Sequence, residues 1–328
     1  MIRILACCCL LVASFWAAAA ATAPAELKLL DEHPVAGMVG GNLSGLALCG
    51  GTLMAVSDRD DDRLYRLDTR ETLWQATAEP FVAPAPPATD LSWRIRLLSW
   101  VAGFVRGGWL DLEGITCDAA GNRYLLSEAY ISVLRVDPAG HAEWLELPDY
   151  LLAQAQARKL LLAFNALYEG LAIDPQGERL WLAAERQQRG LLRVQWQGDR
   201  WQCHGRCVLL SESKRQLPPP ILGKTSWQAD FSDLVFFSGK LFTLERAAHL
   251  VCRRDAGTGR AERCWSYADT AMAEPRRYAE FNGAEALWID ADGAWVGVDN
   301  NENRRNDGED RPIVWHFAVP DGGWGARL

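Results

Sequence analysis

Short apolar runs recur along this chain, among them GLAL from Gly45, TLMAV from Thr52, GITC from Gly114 and WVGV from Trp295. Gly and Asp punctuate them, and their length and spacing predict strands rather than helices. Five segments share one pattern and begin at Asn42, Asp111, Leu167, Asp230 and Gly283, 53 to 69 residues apart. Each has a Ser or Glu, a short apolar strand, a Gly-containing turn, a second apolar strand ending at an acid, and a third strand. One supersecondary unit repeated at such a period predicts an all-β β-propeller. Five copies imply five blades, closed by an early strand near Glu26–Leu30. A sixth, degenerate blade between the first two copies stays open, as does a β-sandwich with coincidental similarity.

Long inserts separate the copies. Residues 79–110, 148–166, 211–229 and 268–282 each end just before the Ser or Glu that opens the next copy. They are therefore expected to cross between blades on one face and to wall a pocket there, as functional loops do on a rigid scaffold. PDYLLAQAQARKLLLAFNAL from Pro148 reads as helical, and LSWRIRLLSWVAGFV from Leu91 reads as a second helix. The apolar surface of the second is expected to pack on the propeller rather than enter a bilayer.

Two positions match across the copies. The first holds Ser44, Glu113, Glu169, Ser232 and Glu285 and opens the innermost strand beside the axis. The second holds Asp58, Glu128, Glu185, Glu245 and Asp299, where the second strand ends. A hairpin's second strand returns to where its first began, so both positions lie on one face. Three carboxylates converging on an axis repel and raise one another's pKa. A bound cation resolves this, and an all-oxygen set completed by water suits calcium better than zinc. The alternative is that these side chains hold the backbone of neighbouring blades and bind no ion. In the second set, donors follow several acids: Arg59, Arg186, Arg246 and Asn300. Such acids are candidates to activate water, and such donors to hold a phosphate or carboxylate ester. Salt bridges between blades are the competing reading.

Composition narrows the setting. Arg3, an apolar run from Ile4 to Trp16 and an alanine-rich end have the layout of a secretory signal peptide over residues 1–23, with cleavage near Ala21 or Ala23. Residues 24–328 then form a single domain, periplasmic or secreted. A lipoprotein site at Cys7 leaves almost no apolar run before it. No later stretch is long and apolar enough to span a membrane. The formal charge of −8 argues against nucleic acid or an anionic membrane surface as partner, since both reward basic patches. Six cysteines remain after the leader, and an oxidising compartment favours disulfides. Cys252 and Cys264 flank a hairpin tip, and Cys203 and Cys207 could close a small loop. Cys49 and Cys117, in inner strands, read as buried thiols.

HExxH, a phosphate-binding glycine loop and GxSxG are absent, and the five histidines are scattered. The segments NLSGLAL…AVSDRD, DLEGITCDAAG…SEA, LYEGLAIDPQGERLWLAAER, FSDLVFFSGKLFTLER and EALWID…VDNN resemble the phytase-like family, labelled "esterase-like activity of phytase". The Ser-Glu-Glu-Ser-Glu order and SDLVFFSGKLF also resemble the calcium-activated nucleotidases (apyrases), five-bladed propellers with an axial calcium. That likeness implies Ser44, Glu113, Glu169, Ser232 and Glu285 as ion ligands. Two functions follow as expectations. One is a calcium-dependent hydrolase of phosphoric or carboxylic esters; the other is a non-catalytic binding or scaffold propeller with a structural ion.

Overall fold

A computed structural model describes residues 23–278 and 283–326. The expected leader lies outside the described residues. The chain is mostly β and propeller-like. The inner strands Gly45–Cys49, Leu112–Cys117, Tyr168–Ile173, Asp233–Phe237 and Gly283–Ile289 come one from each repeat. Successive inner strands touch, and the last touches the first, so they close a ring. Each is the first strand of an antiparallel set running outward. The middle strands are buried on both faces, which is why TLMAV and RLWLAA read as continuous apolar runs rather than alternating ones.

Among the described residues the core divides into hydrophobic clusters that each fill the gap between two neighbouring repeats. Met54 and Val56 meet Ile115 and Leu125, while Trp181 and Leu191 meet Phe231 and Leu241. The fully buried Trp265 and Trp315 lie between the last two repeats. Glycine permits this close stacking. A Cβ on Gly170 would stand 2.7 Å from the Leu234 backbone nitrogen of the next inner strand.

Closure differs in detail from the sequence reading. The closing strand begins within the expected Glu26–Leu30 segment but runs further, Leu29–Ala36, and pairs antiparallel with Ile313–Ala318 of the last repeat. Ala25 and Glu26 instead run parallel to Ala261–Ser266 of the fourth. Two parallel pairs, Val35 with Trp74 and Ala36 with Gln75, join the last and first repeats into one eight-stranded sheet. The stretch between the first two copies, residues 69–110, holds one strand, Trp74–Pro80, which pairs with Arg63–Asp68 of the first repeat, and one helix. That helix, α1 (Trp93–Arg106), is capped by Ser92, whose side chain accepts from the Ile95 amide. The second helix, α2 (Tyr150–Ala157), is shorter than its apolar pattern predicts.

Cys252 bonds Cys264 across paired strands, and Cys203 bonds Cys207. Cys49 and Cys117 are not thiols. They end the inner strands of the first two repeats, which are neighbours in the ring, and are disulfide-bonded with Cα atoms 5.6 Å apart. The 49–117 bond closes a loop of 68 residues and the 203–207 bond one of 4. Loop-closure entropy then predicts that Cys49→Ala/Cys117→Ala costs roughly 2.5 kcal/mol more than Cys203→Ala/Cys207→Ala. Urea unfolding of the two variants measures this, and equal costs would contradict it.

Candidate functional site

The three ring glutamates share a local device. Pairing between inner and second strand slips at Leu112/Gly114, at Tyr168/Gly170 and at Ala284/Ala286. Glu113, Glu169 and Glu285 are the residues skipped, so each sits on a β-bulge. A bulge re-aims one side chain without ending the strand, and here it sends three carboxylates towards the axis. One oxygen from each lies within 4.8 Å of the other two. Ser44 and Ser232, the other two ring positions, behave differently. Ser44 lines the same cavity and accepts from the Asp58 amide at 3.1 Å. Ser232 does not line the cavity. It donates to the Ala284 carbonyl at 2.9 Å and so ties the fourth repeat to the fifth.

The cavity has a volume of about 570 Å³ and is lined by seven carboxylates against three arginines. That balance favours a cation over an anion at its floor. Burial, together with Asp111 and Asp58, raises the Glu113 pKa well above the carboxylate range. Burial, then Glu185 and Glu113, does the same to Glu169. Asp111, whose oxygens with those of Asp58 and Glu113 form a second close group, is pushed by burial to about 6. Burial also holds Asp299 at about 7.

Arg246 is the main internal counter-charge. It bonds Glu285, Glu185 at 2.7 Å and Asp230 at 3.2 Å. Arg106, at the end of α1, reaches Asp111 at 3.2 Å. Among the described residues no basic side chain comes within ion-pair distance of Glu113 or Glu169. The donor set is thus three convergent oxygens, two of them from uncompensated side chains, which fits a hard divalent cation. A group formed by Glu245, Cys252 and Cys264 is no such site, because both cysteines are bonded to each other.

The second set of acids divides. Asp58, Glu185 and Asp299 line the cavity. Burial pushes Glu185 to about 7 against the pull of Arg246 and Arg186. One of its oxygens serves those arginines, and Oε2 is buried without a hydrogen-bond partner. Glu128 is buried behind the wall and accepts from the Leu167 amide at 3.2 Å, so it holds backbone rather than facing ligand. Glu245 does not line the cavity. It is locked between Arg189 at 2.8 Å and Arg254 at 2.6 Å, away from the cavity. Of the paired donors, Arg186 and Arg246 line the cavity. Arg59 turns outward to Glu302 at 2.5 Å, and Asn300 spans its own turn to the Asp310 carbonyl at 2.7 Å.

The crossings do supply walls: Arg106, Asn165, Trp227 and Gln228 come from three of them. Two further acids, Asp111 and Asp230, were missed. A signal for them exists, since Asn42, Asp111 and Asp230 occupy a third matched position, two residues before the ring. Asn42 donates to Asp58 at 3.1 Å, while Asp111 and Asp230 anchor the cavity's arginines.

The family model for the phytase-like domain, described as esterase-like activity of phytase, matches residues 39–217, more than half of the chain. No curated protein matches the sequence. Among solved structures, the Myxococcus xanthus glutaminyl cyclase is similar over 90% of this chain and 97% of that one, with a TM-score of 0.50 and 11% identity. The PQQ-bound aldose sugar dehydrogenase of Streptomyces coelicolor is similar over 90% and 99%, with a TM-score of 0.46 and 15% identity. At such identities the likeness concerns the fold alone.

Proposed function

The chain belongs to the phytase-like family, and from that premise we propose that its central cavity is a calcium-dependent site for hydrolysis of a small phosphoric or carboxylic ester. The observation that carries this reading is the convergence of Glu113, Glu169 and Glu285 within 4.8 Å, with no basic partner for the first two. These three and Ser44 would hold the ion, water completing the six to eight oxygens calcium takes. When bound, calcium supplies Lewis-acid polarisation of the ester. Glu185 lies near neutrality with one unpartnered oxygen, which suits it to accept a proton from water. Arg186 and Arg106 suit the anionic end of an ester. The excess of acids weighs against a heavily phosphorylated substrate.

We read the closed ring of inner strands as a five-bladed propeller. The three disulfides support export to an oxidising compartment. A second reading, a scaffold with a structural ion, gains support from the internal pairing of Glu245, Arg59 and Asn300.

Metal analysis of the purified protein is expected to find about one calcium per chain. Hydrolysis of generic phosphate and carboxylate esters should then disappear with chelator and return with calcium. Calcium without hydrolysis of any ester selects the scaffold, and no bound ion sinks both readings.

A further inference from the structure

Helix α1 does not pack its apolar side on the propeller. Among the described residues seventeen large hydrophobic side chains are exposed, and eight of them lie between Trp93 and Trp109. At 100° per residue, Trp93, Leu97, Trp100 and Phe104 form one stripe, with Leu98, Val101 and Val105 beside it. Phe104 is 71% and Val105 76% exposed, whereas Ile95 and Gly103 alone are buried against the protein. The helix is therefore turned with its apolar face outward.

It is nonetheless firmly held. The Trp109 and Leu110 amides both donate to Asp61 at 2.7 Å. Gly108, at φ +79°, packs so tightly on the Asp58 carbonyl that a Cβ there would stand 2.0 Å from it. Arg106 of the same helix lines the central cavity. The outward apolar face is thus fixed at the mouth of the site. Other exposed apolar side chains, Leu162, Leu217 and Ile221, lie on the crossings of that same face.

Charge identifies the partner. The net charge of −8 weighs against an anionic surface for the chain as a whole, but Leu91–Leu110 holds no acid: Arg106 turns inward to Asp111, while Arg94 and Arg96 are exposed. An outward face of Trp, Phe, Leu and Val that carries exposed arginines and no acid is the pattern of a helix lying in a membrane interface. Fourteen residues rise about 21 Å, short of the roughly 30 Å hydrocarbon core, so the helix lies in the plane and does not span. We propose that α1 docks flat on an anionic lipid surface and turns the cavity mouth towards it. This docking stands apart from the metal reading, and its test reads binding rather than activity.

The purified protein, floated with vesicles of phosphatidylcholine containing roughly 30% phosphatidylglycerol, is expected to rise with the lipid. Trp100→Ser/Phe104→Ser, at exposed positions, should bind at least about 10-fold more weakly with an unchanged unfolding midpoint. Arg94→Glu/Arg96→Glu should lose about 10-fold on anionic vesicles only. Failure of the unmodified protein to float overturns the proposal. So does a dimer, seen by light scattering, that Trp100→Ser/Phe104→Ser dissociates, because α1 would then face a second copy.

Discussion

Glu169→Gln is expected to weaken calcium uptake while making the metal-free protein more stable. The two effects have opposite signs because one carboxylate does two things. As a ligand it contributes charge and oxygen to a convergent set, and its loss should weaken binding by about 100-fold or more. Without metal it is a buried acid whose ionisation is opposed by burial and by Glu185 and Glu113, so an isosteric amide removes that cost and keeps the shape. Urea unfolding in chelator and in calcium separates them. The unmodified protein should gain about 2.7 kcal/mol at calcium 100-fold above its Kd. At the same calcium concentration Glu169→Gln should gain at most about 0.4 kcal/mol, yet start from a higher value in chelator. A variant that is less stable in chelator and still stabilised by calcium would assign Glu169 a structural role and move the ion elsewhere.

The repeat alone makes this carboxylate visible in the amino-acid sequence. Five copies with a Ser or Glu at one position place those residues on one face by topology. What the spacing could not show is how they turn inward, because the bulges at Glu113, Glu169 and Glu285 depend on pairing with a strand a dozen residues away. The glycines that follow two of them were legible as letters, but their reason is the approach of the next inner strand. Arg106 was beyond reach for a similar cause: it comes to Asp111 from a helix in an insert, outside the repeated pattern.

Two misreadings share one origin, the assumption that apolar residues in a soluble scaffold are buried. It made α1 a packed helix, although its wheel buries only Ile95 and Gly103. It also made Cys49 and Cys117 thiols, although both are only partly buried and meet at the ends of adjacent strands. Glu245 shows the converse error. Its place in the repeat matches Glu185, but two arginines from its own and the preceding repeat reach it first.

Those arginines give Glu245→Gln a large and diagnostic effect. Arg189, Arg254 and Glu245 are each at most 3% exposed, and both guanidinium groups stack on Phe231, at 4.3 and 4.6 Å. Arg189 comes from the third repeat and also holds the Asp230 carbonyl, so the triad ties two neighbouring sheets together. Removing the acid leaves the buried Arg254 without an ion-pair partner and Arg189 with Glu212 alone, a change that costs about 3–5 kcal/mol. Burial alone would raise the Glu245 pKa, but Arg189 and Arg254 outweigh it and hold the group at about 2, against 4.5 when unfolded. A depressed carboxylate stabilises above its unfolded pKa and loses that contribution as pH falls towards the folded one. The gap between the unmodified protein and Glu245→Gln should therefore be widest near neutrality and shrink below about 2 kcal/mol near pH 3. Calcium binding by the variant should be unchanged where it remains folded. A variant of full stability that has lost ester hydrolysis would return Glu245 to the reaction and overturn its assignment as a structural tie.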